Sequence, residues 1–198
     1  MRISDISMNS QRPSDEGYLA HSEFVALRRI AVADLPQIGR FGFTVSIVEP
    51  LNDLARLSEA FHAGRLWQDS AGAVAVVEAP TRRLIGTCQF YRAAPCIHGY
   101  ELGYIIHDSA DRSRGYGAQS VRLFSDYLFA HIPDFYRQQL VIEVWNTPSW
   151  KLAERCGFVR EGLLRSSGLG SGDPADCFIY ARTRKDWREQ HHTVIGVG

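Results

Sequence analysis

Glu101-Leu102-Gly103-Tyr104-Ile105-Ile106, followed a few residues later by Arg112-Ser113-Arg114-Gly115-Tyr116-Gly117, is the stretch on which the fold turns. An apolar run that reads as a strand enters a loop with two glycines. From Arg114 the apolar period lengthens, with Val121, Phe124 and Leu128 recurring at helical spacing up to Pro133. A strand, a glycine loop and a helix in that order make an anion cradle. Glycine lets consecutive N–H groups converge, and the helix start adds unsatisfied donors and the positive end of its dipole. Arg112 and Arg114 supply charge to neutralise a diphosphate. The loop lacks the Gly-Lys-Ser/Thr of a triphosphate-binding loop and the three-glycine spacing of a dinucleotide fingerprint. Alone, Gly-x-Gly equally describes a plain helix start with solvated arginines.

Working outward, Leu84–Tyr91 and Ala73–Glu78 read as two further strands joined by the hairpin Ala79-Pro80-Thr81-Arg82-Arg83, and Gly99–His107 extends the meander. Before them, Pro50 and Asn52-Asp53 open a helix whose Leu54, Leu57 and Phe61 share a face and which Gly64 stops. Asp34-Leu35-Pro36 starts a shorter helix, with Asp34 as its cap, that ends near Gly42. A strand at residues 24–29 comes first. Residues 1–22 are polar and without period, so they read as a tail, possible disorder included; residues 23–190 form the domain and 191–198 a second tail. After the central helix, Leu140–Trp145 reads as a strand and Thr147-Pro148 as cap and first turn of a helix ending at Gly157. Phe158–Arg165 and Cys177–Thr183 are two last strands flanking the glycine- and serine-rich segment 166–176. The expected class is α/β (α+β): one domain, a mixed sheet, helices on both faces.

Twenty-two Lys and Arg balance twenty-two Asp and Glu in 198 residues, so no net field gathers polyanions and no nucleic-acid partner is expected. Cys88, Cys96, Cys156 and Cys177 show neither a zinc spacing nor a disulfide framework, and they read as reduced, partly buried thiols with no metal role. Uncharged stretches such as Phe41–Val48 and Ser70–Val77 run to eight residues, against the ~20 that a membrane span needs. No apolar signal core precedes Tyr18. The expectation is a cytoplasmic protein without a membrane partner. The run Arg182, Arg184, Lys185 and Arg188 around Asp186 reads as a solvated terminus, and His98 and His107 as exposed strand-end histidines.

Residues 112–117 resemble the Arg/Gln-x-x-Gly-x-Gly/Ala motif with which Gcn5-related N-acetyltransferases (GNAT) grip the pyrophosphate of coenzyme A. A second block is similar to the subgroup of ribosomal-protein N-terminal acetyltransferases: Asn146-Thr147-Pro148-Ser149, then Gly157-Phe158 with Glu161-Gly162, then Asp176–Tyr180 and Asp186-Trp187. The resemblance covers residues 23–187. It implies a mostly antiparallel sheet splayed between the strands ending near Ile106 and Trp145. The opening would admit the pantetheine arm of acetyl-CoA or another acyl-CoA, the co-substrate.

The resemblance also implies roles. Ile105, Ile106, Arg112, Arg114, Gly115, Tyr116, Gly117, Ala118, Asn146 and Ser149 are the expected acyl-CoA contacts, with backbone N–H groups around Ile105 facing the developing oxyanion. Glu101 stands where histone-acetylating members place their catalytic glutamate, and it is the candidate general base. Ser149 is the candidate donor to the leaving thiolate. Many members carry a tyrosine acid five residues before the glycine of Gly-Phe; this chain has Leu152 there, which removes that mechanism. Phe41, Phe43, Trp67, Phe90 and Tyr91 are expected near the acceptor mouth, with 166–176 as a lid. These features and the balanced charge favour a small-molecule primary amine as acceptor, in a monomer or homodimer. The alternatives are a protein N-terminus, a carrier-protein acyl donor, and a non-catalytic coenzyme A-binding module.

Overall fold

The computed structural model describes residues 17–41, 43–44, 50–51, 53–94, 97–133, 136–168 and 174–192. Cys96, the core of the expected lid (169–173), the side chain of Phe43 and the tail segments 1–16 and 193–198 lie outside the described residues. The chain divides into two compact units, one made of residues up to Arg92 with Gly103–Tyr127, the other of Ala93–Leu102 with the residues from Leu128 onward.

The first unit opens with β1 (Tyr18–His21) and β2 (Val25–Arg29). A 3₁₀ turn leads into α1 (Leu35–Ile38), and after the short pair β3 (Phe43–Thr44) and β4 (Pro50–Leu51) comes α2 (Leu54–His62). Next are β5 (Ala71–Glu78), β6 (Leu84–Arg92), β7 (Tyr100–Ile106) and α3 (Tyr116–His131), the last two running from one unit into the other. The second unit holds β8 (Arg137–Glu143), α4 (Thr147–Arg155), β9 (Val159–Leu164), β10 (Cys177–Thr183) and α5 (Arg184–His192). Strand order is β1-β2-β5-β6-β7 in the first unit and β7-β8-β10-β9 in the second, eight strands sharing β7. Among the pairings described, only β7 with β8 is parallel, and its ladder registers just Tyr100 with Gln138 and Glu101 with Gln139. The sheet is therefore mixed, mostly antiparallel, and strand pairing between β7 and β8 stops at Glu101.

The core of the first unit follows from β2 and β5, which are apolar on both faces. Val25, Ala26 and Leu27, and Ala73 through Val77, are all buried. Against them α1 and α2 lay Leu35, Ile38, Leu57 and Ala60. Asp53 caps α2, its carboxylate accepting from Arg56 N–H at 2.7 Å. Asp34 does not cap α1 as expected. Its carboxylate takes the Ala31 N–H at 2.7 Å and both Arg28 nitrogens at 2.6 and 2.9 Å, and so ties the 3₁₀ turn back to β2.

Gly86 on β6 has no room for a side chain, because a Cβ there would collide with the carbonyl oxygen of Ile105 on β7. Since that obstacle is backbone, Gly86→Ala must push the strands apart, and overpacking of this kind costs about 1–3 kcal/mol. The expected result is a lower Tm by calorimetry; an unchanged Tm would mean that the β6–β7 contact is looser than described.

Four further expectations require correction. Tyr18–His21, assigned to the tail, is an edge strand paired with β2 (Tyr18 with Arg28, His21 with Ala26), so order begins upstream of Glu23. The strand read as Leu140–Trp145 is Arg137–Glu143: Gln138 and Gln139 are buried polar residues that no apolar pattern marks, and the Asn146 N–H bond to Glu143 O turns the chain before Trp145. The cap of α4 is Asn146, not Thr147. The basic run is solvated only in part: it enters α5, which continues to His192, with Lys185 and Arg188 exposed and Arg182 and Arg184 turned into the fold. There Arg184 donates to the carbonyls of Phe129 and Ile132 at 2.7 Å each, and Arg182, 2% exposed, donates to Gln190.

Candidate acyl-donor and catalytic site

The loop after β7 is built by local chemistry. Asp108 accepts the Ala110 N–H at 2.9 Å and caps a 3₁₀ turn over Ser109–Asp111. Ser113 and Gly115 then adopt φ of +60° and +85°, left-handed backbone on either side of Arg114, before α3 starts at Tyr116. Left-handed residues of this kind curl successive N–H groups inward into a nest. The Gln119 N–H bonds Gly115 O at 3.1 Å as α3 begins, and the first N–H groups of a helix have no intrahelical acceptor. A non-glycine residue held at positive φ is strained, and such strain concentrates at binding loops. The backbone of 113–118 is thus shaped to take an anion.

The side chains around it are less free than the sequence suggests. Arg112 donates to the carbonyls of Ile106 and His107 at 3.2 Å each, locking the end of β7 to the loop. Arg114 lies 3.5 Å from Asp111 and over the Tyr116 ring. Tyr116 turns inward and donates its hydroxyl to Glu78 at 2.5 Å, leaving only its backbone to face a ligand.

Sequence reasoning missed the network that holds this loop. Arg83 grips Asp111 through two bonds of 2.7 and 2.8 Å, and Glu78 receives Tyr116 and Thr81. The β5–β6 hairpin thereby fastens both ends of the cradle. No local pattern announces these partners, since Glu78, Arg83 and Asp111 each look like ordinary surface charges.

The Tyr116 hydroxyl bond holds the Glu78 carboxylate below its usual range, and the Arg83 guanidinium does the same for Asp111. A depressed carboxylate contributes stability that is complete above its unfolded value, near pH 4 to 4.5, and lost as pH falls through the lower folded value. Acid should therefore loosen the cradle only below about pH 4. In thermal melts from pH 2 to 7, the gap between wild type and Asp111→Asn is expected to be constant above about pH 5 and to narrow progressively below about pH 4 as pH falls toward the lower folded value; a gap that does not change across the whole range would show that ionisation of Asp111 contributes nothing.

His107, the residue after β7, is buried, at 3% exposure, rather than exposed as expected. Its ring stacks on Phe41 at 4.5 Å and 7°, and burial lowers its pKa. Of the expected mouth aromatics, Phe90 is fully buried and packs on Trp67 and Phe124, which makes it core. The Arg29 guanidinium carbon lies over Trp67, 3.6 Å from the ring centre.

In the second unit Glu101, 7% exposed, accepts from Gln139 Nε2 at 3.2 Å. Asn146 Oδ1 receives the Ser149 N–H at 3.3 Å, so the expected pantetheine contact is also a helix cap, and Ser149 sits half-buried in the first turn of α4. The tyrosine missing at Leu152 has no replacement in Tyr180. That hydroxyl donates to Glu154 at 3.0 Å and, buried, is pushed up to about 12. Cys156 is core, as expected.

Among the described residues no helix is long and apolar enough to cross a membrane. The backbone nest, the helix start and the two arginines fit the diphosphate of coenzyme A by donor chemistry and charge. The sequence pattern of the acetyltransferase (GNAT) domain matches residues 25–159. An uncharacterized N-acetyltransferase p20 of Bacillus licheniformis is 26% identical over 120 residues, 61% of this chain and 66% of that protein, so the match spans slightly under two thirds of the relative. Among solved structures, the spermidine/spermine N-acetyltransferase SpeG of Vibrio cholerae in complex with manganese ions superposes with a TM-score of 0.71 at 22% identity, over 84% of this chain and 96% of that one. A dodecameric structure of the Vibrio cholerae spermidine N-acetyltransferase gives 0.70 at 22%, over 84% and 97%. The likeness to these structures is one of fold; the domain match, from β2 into β9 and through the whole glycine loop, covers well over half of the chain, which therefore belongs to the GNAT acetyltransferase family.

Proposed function

We propose that this chain moves an acetyl or related acyl group from acyl-CoA to the primary amine of a small molecule by direct attack, in the cytoplasm. The observation that carries the reading is the nest at 113–118 opening into α3, with its left-handed Ser113 and Gly115. In this reading Arg112, Arg114 and the N–H groups of Gly115–Ala118 hold the diphosphate, Asn146 and the edges of β7 at Ile105 and Ile106 hold the pantetheine arm, and bound acyl-CoA supplies the thioester. Glu101 accepts the proton of the attacking amine, N–H groups around Ile105 stabilise the developing oxyanion, and the Ser149 hydroxyl donates to the departing thiolate.

A small amine is favoured by balanced overall charge, which offers no field for docking a basic ribosomal protein. Because the Vibrio cholerae proteins are named for spermidine, polyamines head the acceptor panel. The second reading, a ribosomal-protein type N-terminal acetyltransferase, rests on Gly157-Phe158 with Glu161-Gly162. Thiol release from acetyl-CoA decides between them, with spermidine, amino sugars, aminoglycosides and a basic N-terminal peptide as acceptors. Release with small amines is expected. Release with the peptide alone supports the second reading, and coenzyme A binding without release to any acceptor would leave a non-catalytic module.

A further inference from the structure

We propose that Gln139 is a positioning residue that holds the Glu101 carboxylate in its proton-accepting form, so that the base is a two-residue unit on neighbouring strands; this rests on the acyl-transfer reading above, with Glu101 as base. Glu101 and Gln139 are opposite residues on one of the two rungs of the β7–β8 ladder. Gln139 cannot slide, because β8 pairs with β10 from Arg137 to Glu143, with Gln139 facing Ala181. Its side chain is 4% exposed, and Nε2 donates to Glu101 Oε2 at 3.2 Å.

The direction of this bond follows from chemistry. An ionised carboxylate only accepts, so the amide must turn its NH₂ toward it, and the flipped amide would set oxygen against oxygen. The consequence is visible at the other end of the amide: Gln139 Oε1 is buried without a partner among the described residues. Leaving a buried carbonyl unsatisfied is unfavourable, and a Leu or Met at this position would avoid it. The amide therefore gives up one hydrogen bond to supply another to Glu101. In the transfer, one amine N–H bond breaks and one Glu101 O–H bond forms, and the proton leaves to solvent when the product departs.

The test is the pH profile of kcat/KM with acetyl-CoA and the amine found active. Gln139→Met removes the donor at similar volume, so the acid limb is expected to move up, while acetyl-CoA affinity by calorimetry stays put. In a Glu101→Gln background the same substitution should change the rate by less than about twofold, because its effect passes through Glu101. If Gln139→Met does not fold, Gln139→Glu serves: two carboxylates on one rung resist joint ionisation, and the limb moves further up. An acid limb lost in Glu101→Gln but unmoved in the Gln139 variants overturns this proposal alone, as does an equal loss in both backgrounds. A wild-type limb in Glu101→Gln overturns the base assignment and this proposal with it.

Discussion

Glu101→Gln is expected to lower kcat/KM by about 10²- to 10⁴-fold, the usual contribution of a positioned proton acceptor. An amine is nucleophilic only without its extra proton, and the proton it carries into the attack must go somewhere as the C–N bond forms. Glu101 lies on β7 at the last rung of the β7–β8 ladder, 7% exposed. The amide keeps shape and hydrogen bonding to Gln139 but has no basicity, so acetyl-CoA affinity should hardly change. The acid limb of kcat/KM should vanish, leaving a rate that climbs with the fraction of free amine. A loss below tenfold with an unchanged profile would mean that the amine arrives neutral and that positioning and oxyanion donors do the work; Glu101 would then be withdrawn as base while the transfer reading stands.

What the sequence discloses and what it hides divide along a physical line. The turn from β7 into α3 was legible because it is written in local code: two glycines, a change of apolar period, and a helix start. The central strands were legible because Ala73–Val77 and Leu84–Cys88 are apolar runs bounded by turn residues. Elements held by side chains from distant strands were not. The segment Arg184–His192 is polar but for Trp187, yet it forms α5 because Arg184 reaches the carbonyls at the C-terminal end of α3 and Trp187 packs on Phe129. The start of β8 was hidden by Gln138 and Gln139, whose burial depends on the strands beside them. The candidate site follows the same rule. Its backbone cradle could be read from glycine spacing, whereas the bonds that brace it, Tyr116 to Glu78 and Arg83 to Asp111, span 38 and 28 residues and leave no periodic trace.

Gly117→Glu gives the largest expected effect on binding. Gly117 is the second residue of α3, inside the turn whose N–H groups have no intrahelical acceptor. For the fold alone the substitution is favourable. Glutamate propagates a helix better than glycine by roughly half a kcal/mol or more, and a negative charge in the first turn complements the helix dipole. For a diphosphate it is unfavourable twice over, since the side chain fills the space above the turn and brings an anion against an anion. Tm is therefore expected to hold or rise while coenzyme A binds at least tenfold more weakly, about 1.4 kcal/mol. These opposite signs make the result diagnostic, because a variant that merely misfolds loses both. The weakening should shrink as salt screens the added charge, and truncated donors separate the contributions: pantetheine, which has no diphosphate, should bind wild type and variant alike. Equal affinity of the two proteins for coenzyme A by calorimetry would remove the cradle from residues 112–118, and the diphosphate would have to be held elsewhere in the chain.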